Sequence, residues 1–398
     1  MGHDDFVATD GWLSRWKVRH EIVFKKAYGE KGSADSTGAE EWCSNGLPQL
    51  LDQYSLENIF NADETGLFYR ATPDGSLTYK HNNLVGSKKA MDRVTVLCCC
   101  NATGSEKRPL LVIGKSKNPR CFKNLNVSRL PVLYRANKNA WMTAIIFSEW
   151  LASWDSELQK SGRKVLLLID NATCHPTCTD FETIQVEFLP PNTTSLIQPL
   201  DMGIIKNLKV HYRSELVAYI LQIIDEKLIP DTATAKDVSA KVTLLQAIQF
   251  VADSWRKVTR TTCANCFARC GFKAGTSEEV EEAKDELILQ RVSNEEEFFC
   301  IDDDLPCYDA SENFDDEIIE YIVKKSKTDE DKSDDDDDDP VVRVSAQEAK
   351  KCVEQLRLYF MQDGNEESPA AELDVCADFI QRQTFKNLHQ SKLDRFLQ

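Results

Sequence analysis

Three aspartates stand where a carboxylate is costly: Asp63 inside the apolar run NIFNADETGLFY, Asp170 at the end of KVLLLID, and Asp201 in LIQPLDMGIIKNLK. A charge in apolar surroundings costs several kcal/mol unless a cation or hydrogen bonds compensate it. Three such charges together repel one another. A divalent cation relieves both costs, because Mg²⁺ takes carboxylate oxygens and keeps water positions open. Two such ions about 4 Å apart activate a water or 3′-hydroxyl and stabilise the leaving oxygen during in-line attack on a phosphodiester. That chemistry needs hard oxygen ligands rather than thiols. Each aspartate also has an ordinary structural reading, with Asp63 opening a turn, Asp170 capping the next element and Asp201 N-capping a helix. Asn171 and His175, close behind Asp170, either order an active-site loop and touch phosphate or simply shape the loop. Glu64 adjoins Asp63, but strand alternation turns it to the opposite side, which leaves it outside the metal set.

The elements that must position these residues follow from the hydrophobic pattern. NIFNADETGLFY, VTVLCCC, RPLLVIG, KVLLLID and IQVEFLP are short apolar or alternating runs bounded by Gly, Asn, Pro or charge, and read as strands of a mixed sheet. Between the third and fourth, Ile146, Trp150 and Trp154 recur at helical spacing, so a helix crosses between two strands. The unbroken Leu166, Leu167 and Leu168 suit a strand covered on both faces. After the turn LPPNTTSLIQP, the stripe Ile205, Leu208, Tyr212, Leu216 and Ile220 predicts a long helix packed on the sheet, and a second helical region runs from about 235 to 271. Strand ends and helix N-termini converge at one edge of such a sheet, where the aspartates would meet.

Four segments, NADETGLFY, LLLIDNATCHP, LPPNTTSLIQPLDMGIIKNLK and NCFARCGF, resemble in order and spacing the DDE superfamily endonuclease domain of Tigger/pogo transposases and of their jerky and centromere protein B relatives. The resemblance covers about residues 41–272. It implies an α/β, ribonuclease-H-like mixed sheet flanked by helices, with Asp63, Asp170 and Asp201 at the three catalytic acidic positions and two Mg²⁺ or Mn²⁺ ions as cofactor. The last acid is Asp, as in the pogo branch. Upstream, DGWLSRWKVRH resembles the closing helix of the centromere-protein-B-type helix-turn-helix, which makes Arg15, Lys17 and Arg19 DNA-binding candidates. Most of that module is absent, and a lone helix lacks the partners that make a recognition surface. The expected organisation is a helix-turn-helix remnant at 1–28, a linker at 29–40, the endonuclease core at 41–225, a helical extension at 226–277 and an acidic, mostly disordered tail with short helices at 278–398.

Charge divides along the same line. Residues 278–398 hold 36 acidic and 14 basic side chains, a net of −22, which leaves +5 for the rest. A mildly basic body permits contact with a polyanion, and the tail has the charge to dock on basic nuclear proteins such as histones. The block Asp334 to Asp339 lacks the glycine and spaced ligands of a calcium loop. Lys88, Lys89 and Arg93 precede a strand, while Lys115, Lys117 and Arg120 follow one; each set either lines a DNA channel or is surface charge. Cys263, Cys266 and Cys270 share one helix face without a fourth ligand in register, so they read as core rather than zinc. Without a secretion signal, the cysteines are expected to be reduced. No run of about 18 apolar residues occurs, so a soluble, intracellular protein with no membrane contact is expected. The function expected is a transposase-derived, nuclear, DNA-acting protein with a metal-dependent endonuclease and strand-transfer core. The alternative is a domesticated, catalytically silent DNA- or chromatin-binding protein. A homodimer is compatible with either.

Overall fold

The computed structural model describes residues 34–72, 92–175, 181–225, 235–273, 301–302, 305–308 and 344–360, with Arg19 and scattered positions within 372–380. Its centre is a six-stranded mixed sheet of β1 (Ile59–Phe68), β2 (Arg93–Asn101), β3 (Leu111–Gly114), β4 (Leu133–Ala136), β5 (Val165–Ile169) and β6 (Ile184–Phe188). The spatial order is β4-β3-β2-β1-β5-β6. β1–β2 and β2–β3 pair antiparallel, whereas β3–β4, β1–β5 and β5–β6 pair parallel. With flanking helices this is the ribonuclease-H-like architecture that the resemblance implies. The five strands read from the sequence are all present. β4 was not anticipated, because LYRA is short and charged and its outer face is exposed, with only Tyr134 buried.

Before the sheet lie α1 (Ser36–Glu41) and α2 (Leu47–Gln53). The Asp35 side chain caps α1 by accepting from Gly38 N at 2.9 Å, so helix replaces the last part of the expected 29–40 linker. Helix α3 (Ala144–Ser161) starts where Thr143 Oγ1 accepts from Ile146 N and stops at Gly162, whose φ of 64° an L side chain resists. Its buried face, Phe147, Trp150, Leu151, Trp154 and Leu158, packs on Phe60, Ala62, Val165, Leu167 and Ile169. Trp154 meets Phe60 edge-on at 5.1 Å. Because strand side chains alternate, Asn61 and Asp63 face away from α3.

The other face carries α4 (Ile205–Asp225), α5 (Leu244–Lys257) and α6 (Arg260–Arg269). The stripe Ile205, Leu208, Tyr212, Leu216 and Ile220 is buried as expected. Tyr212 Oη donates to Tyr69 O at 2.8 Å and Arg213 Nη1 to Phe68 O at 2.7 Å, which clamps α4 to the end of β1. The second helical region is broken at Val258 and Thr259 rather than continuous; Thr259 N-caps α6. Residues 120–126 and 337–398 group as a separate unit, which contains α7 (Ala346–Phe360), one short helix of the kind expected in the tail. Among the described residues, no helix is long and apolar enough to cross a membrane.

Candidate metal-binding active site

β1 and β5 run parallel with Asn61 beside Leu168. Two residues further on stand Asp63, within β1, and Asp170, the first residue past the end of β5. The third, Asp201, lies in a wide helical turn, Leu200–Ile204, that leads into α4 and is opened by Gly203 at φ 142°. It is therefore not the N-cap of that helix. Asn61, fully buried, fixes this turn to the sheet: its Oδ1 accepts from Leu200 N at 2.9 Å and its Nδ2 donates to Leu168 O at 3.0 Å. One side chain thus ties together the carriers of all three acids.

Asp63 is 8% exposed. Burial, then the charges of Asp201, Asp170 and Glu64, push its carboxyl well above the usual carboxylate range, against a hydrogen bond from Gln198. Asp201 and Asp170 thus act on Asp63 electrostatically, and beside them the donor atoms of Glu64, Cys174 and His175 lie within 4.8 Å of each other. Gln198 Oε1, buried next to Asp63 without a hydrogen-bond partner, is a further oxygen available to a cation. The donors fit Mg²⁺ or Mn²⁺, which take oxygen ligands.

His175 stands behind the aspartates. Its Nδ1 lies 2.9 Å from Asp170 Oδ1 and 3.1 Å from Asp170 O, and its Nε2 lies 3.2 Å from Glu64 Oε1. The ring packs on Phe147 at 4.3 Å. Burial alone would pull its pKa down, but the Glu64 charge and the hydrogen bonds to Asp170, Cys174 and Glu64 outweigh burial and hold it well above the ordinary imidazole range. The ring bridges the two carboxylates through its two nitrogens, so the Glu64, Cys174 and His175 group is a hydrogen-bonded cluster. Asn171 shapes the loop: its Nδ2 donates to Leu189 O at 2.5 Å. Glu64 faces away from Asp63, as alternation requires, yet it reaches Asp170 through His175.

A segment assigned to the disordered tail is instead packed here. Asp302 is buried, accepting from Phe68 N at 2.7 Å and from Arg213 Nη2 at 2.5 Å. Leu305 covers Gly66, where a Cβ would meet Leu305 Cβ at 2.5 Å. Met142 N donates to Cys307 O at 2.7 Å. Tyr308 packs on the α3 core, and burial, with the charges of Asp170, Cys174 and Glu64, pushes its hydroxyl up to about 12. These residues close over the β1 end of the carboxylate site.

The basic candidates separate. Arg15, Lys17, Lys88 and Lys89 lie outside the described residues, and Arg19 is exposed. Arg93 opposes Phe68 at the end of β1. Its guanidinium lies over the Trp141 ring at 5.5 Å, and burial lowers its pKa, so it is a half-buried, stacked group rather than free surface charge. Lys115 and Lys117 are exposed. They follow β3, which runs in the direction of β1 and β5, so they share the sheet edge of Asp170. Arg120, in the other unit, is exposed. The described cysteines are free, and Cys263, Cys266 and Cys270 are buried. Asn61, Gln198, Asp302 and Tyr308 were not read from the sequence. For Asn61 and Gln198 the signal was available, since each is a carboxamide within an apolar stretch.

The family described as DDE superfamily endonuclease matches residues 91–267. The mouse Tigger transposable element-derived protein 4 is 32% identical over 331 residues, 80% of this chain and 62% of that protein. The human Jerky protein homolog is 39% identical over 211 residues, covering 50% and 37%, and the human major centromere autoantigen B is 29% identical over 303 residues, covering 69% and 47%. The chain thus spans between about a third and three fifths of the length of these relatives.

Proposed function

From a chain that carries a DDE superfamily endonuclease domain and is homologous to Tigger transposable element-derived, Jerky and centromere-autoantigen proteins, we propose a transposase-derived nuclear protein that acts on DNA phosphodiesters. What supports this reading is the placement of the three acids: Asp63 on β1, Asp170 just past the end of β5 and Asp201 on the turn that Asn61 ties to both strands, near enough that Asp201 and Asp170 help to raise the Asp63 carboxyl. Mg²⁺ or Mn²⁺ held by these carboxylates supplies an activated oxygen nucleophile and a counter-charge for the leaving oxygen. The chain's own residues prepare the site. Asn61 holds the Asp201 turn against β1 and β5, Gln198 hydrogen-bonds Asp63, and His175 grips Asp170. Lys115 and Lys117, at the same edge, supply positive charge for the phosphate backbone.

Supercoiled plasmid incubated with the purified protein and Mn²⁺ tests the reading: nicking is expected, and none in Asp170→Ala. Equal nicking by both proteins would refute catalysis by these acids. A second reading, a silent DNA- or chromatin-binding protein, is favoured by residues 305–308, which lie against the same carboxylates. It predicts salt-sensitive duplex binding without cleavage, and no duplex binding at low salt removes both readings.

A further inference from the structure

We infer that Glu64 is a positioning residue for the metal-binding acids, acting on Asp170 through His175. The inference rests on the metal site proposed above. Glu64 and Asp63 are consecutive on β1 and point to opposite faces, so a single strand residue pair serves two layers. Asp63 enters the acid set directly. Glu64, 3% exposed at its side chain, accepts from His175 Nε2 at 3.2 Å, and His175 Nδ1, 1% exposed, grips Asp170 Oδ1 at 2.9 Å. The Phe147 ring packs against the imidazole at 4.3 Å, tilted by 40°. β5 ends at Ile169, so Asp170 has left the ladder that fixes the residues before it. Ala172 N reaches its Oδ1 at only 3.2 Å. The imidazole is therefore the restraint that sets the direction of the Asp170 carboxylate, and Glu64 sets the imidazole by engaging its far nitrogen. Outer partners of this kind orient a ligand, and their loss typically costs about 10–100-fold in metal affinity.

Mn²⁺ binding to the full chain, followed by the loss of the free-ion EPR signal, tests this without reference to cleavage. Glu64→Leu removes the acceptor while keeping bulk. It is expected to weaken Mn²⁺ binding about 10–100-fold and also to lower the unfolding temperature, because it leaves the buried His175 Nε2 without its acceptor. Glu64→Gln retains an oxygen for His175 Nε2 and is expected to bind within about threefold of wild type, the pattern of a hydrogen-bond role. Unchanged affinity in Glu64→Leu overturns the inference, as does an equal loss in both variants. If Glu64→Leu does not fold, His175→Phe, which preserves the stack on Phe147, carries the test: the same loss supports the inference and full affinity overturns it. A wild-type protein that binds no Mn²⁺ refutes the metal site itself and the inference with it, an outcome distinct from binding that is indifferent to Glu64.

Discussion

Replacing Asn61 with leucine isolates the contribution of the one side chain that connects the carriers of the three acids. Leucine matches asparagine in the number and branching of its side-chain heavy atoms but is bulkier, so the substitution leaves no cavity and the cost comes from the lost hydrogen bonds together with some crowding. Asn61 is fully buried, and its loss orphans Leu200 N and removes a donor from Leu168 O. A buried group left unpaired costs about 1–3 kcal/mol. The carbonyl, which has a second lone pair, falls at the low end, so the total is about 2–4 kcal/mol. At about 2–4 °C per kcal/mol for a folded unit of this size, Asn61→Leu should lower Tm by roughly 4–16 °C. The released Leu200 N also frees the turn that carries Asp201, so Mn²⁺ binding should weaken about 10–100-fold, as when an outer-shell partner is lost. Tyr212→Phe is the control: it deletes one buried hydrogen bond, to Tyr69 O at 2.8 Å. It should cost about 1 kcal/mol and leave Mn²⁺ binding unchanged. Thermal unfolding and EPR titration of the three proteins side by side decide the matter. If Asn61→Leu matches wild type in both measurements, Asn61 does not hold the acids in register; if it is destabilised but binds normally, the tie stabilises the sheet and does not place Asp201.

Three further outcomes follow from the same geometry. Asp63→Asn should raise Tm by about 2–4 °C or more in EDTA at neutral pH, because the folded state holds the Asp63 proton more tightly than the unfolded chain does. The wild type loses stability as pH climbs from the unfolded carboxylate pKa of about 4 to the raised folded one, so the gap between the proteins should close below about pH 4; a gap that persists there contradicts the assignment. Gly203→Ala forces an L residue to φ 142° and should cost about 1–3 kcal/mol, read by urea unfolding, with a neutral result contradicting the turn geometry. Arg213→Met and Asp302→Leu, each of which strands one buried charge, should cost about 3–5 kcal/mol singly, while the double variant should recover most of that; additive losses would mean that the pair does not interact as described.

The apolar runs around β1, β2, β3, β5 and β6 were legible because their length and flanking breakers leave few alternatives to a strand, and Trp150 and Trp154 announced α3 by their spacing. Asp63 and Asp170 were legible for a related reason, since a carboxylate within or at the end of an apolar strand demands a partner. β4 escaped because it holds its place by pairing with β3 rather than by its own pattern. Glu64 escaped in part: alternation correctly turned it from Asp63 but could not reveal that the chain after β5 folds back and brings His175 beneath it. Asp302 and Tyr308 sit in a stretch whose composition matches solvated chain, so nothing in that stretch announced that Asp302 would meet Arg213 of α4.

The pairing of Arg213 with Asp302 sets a schedule for biosynthesis. The arginine leaves the ribosome 89 residues ahead of its counter-charge, so α4 must wait, with a guanidinium that cannot yet be desolvated, until a stretch well beyond α6 has emerged. Until then Gly66 is also uncovered. A chain without that stretch would leave the Arg213 guanidinium short of its carboxylate and Gly66 without its leucine cover.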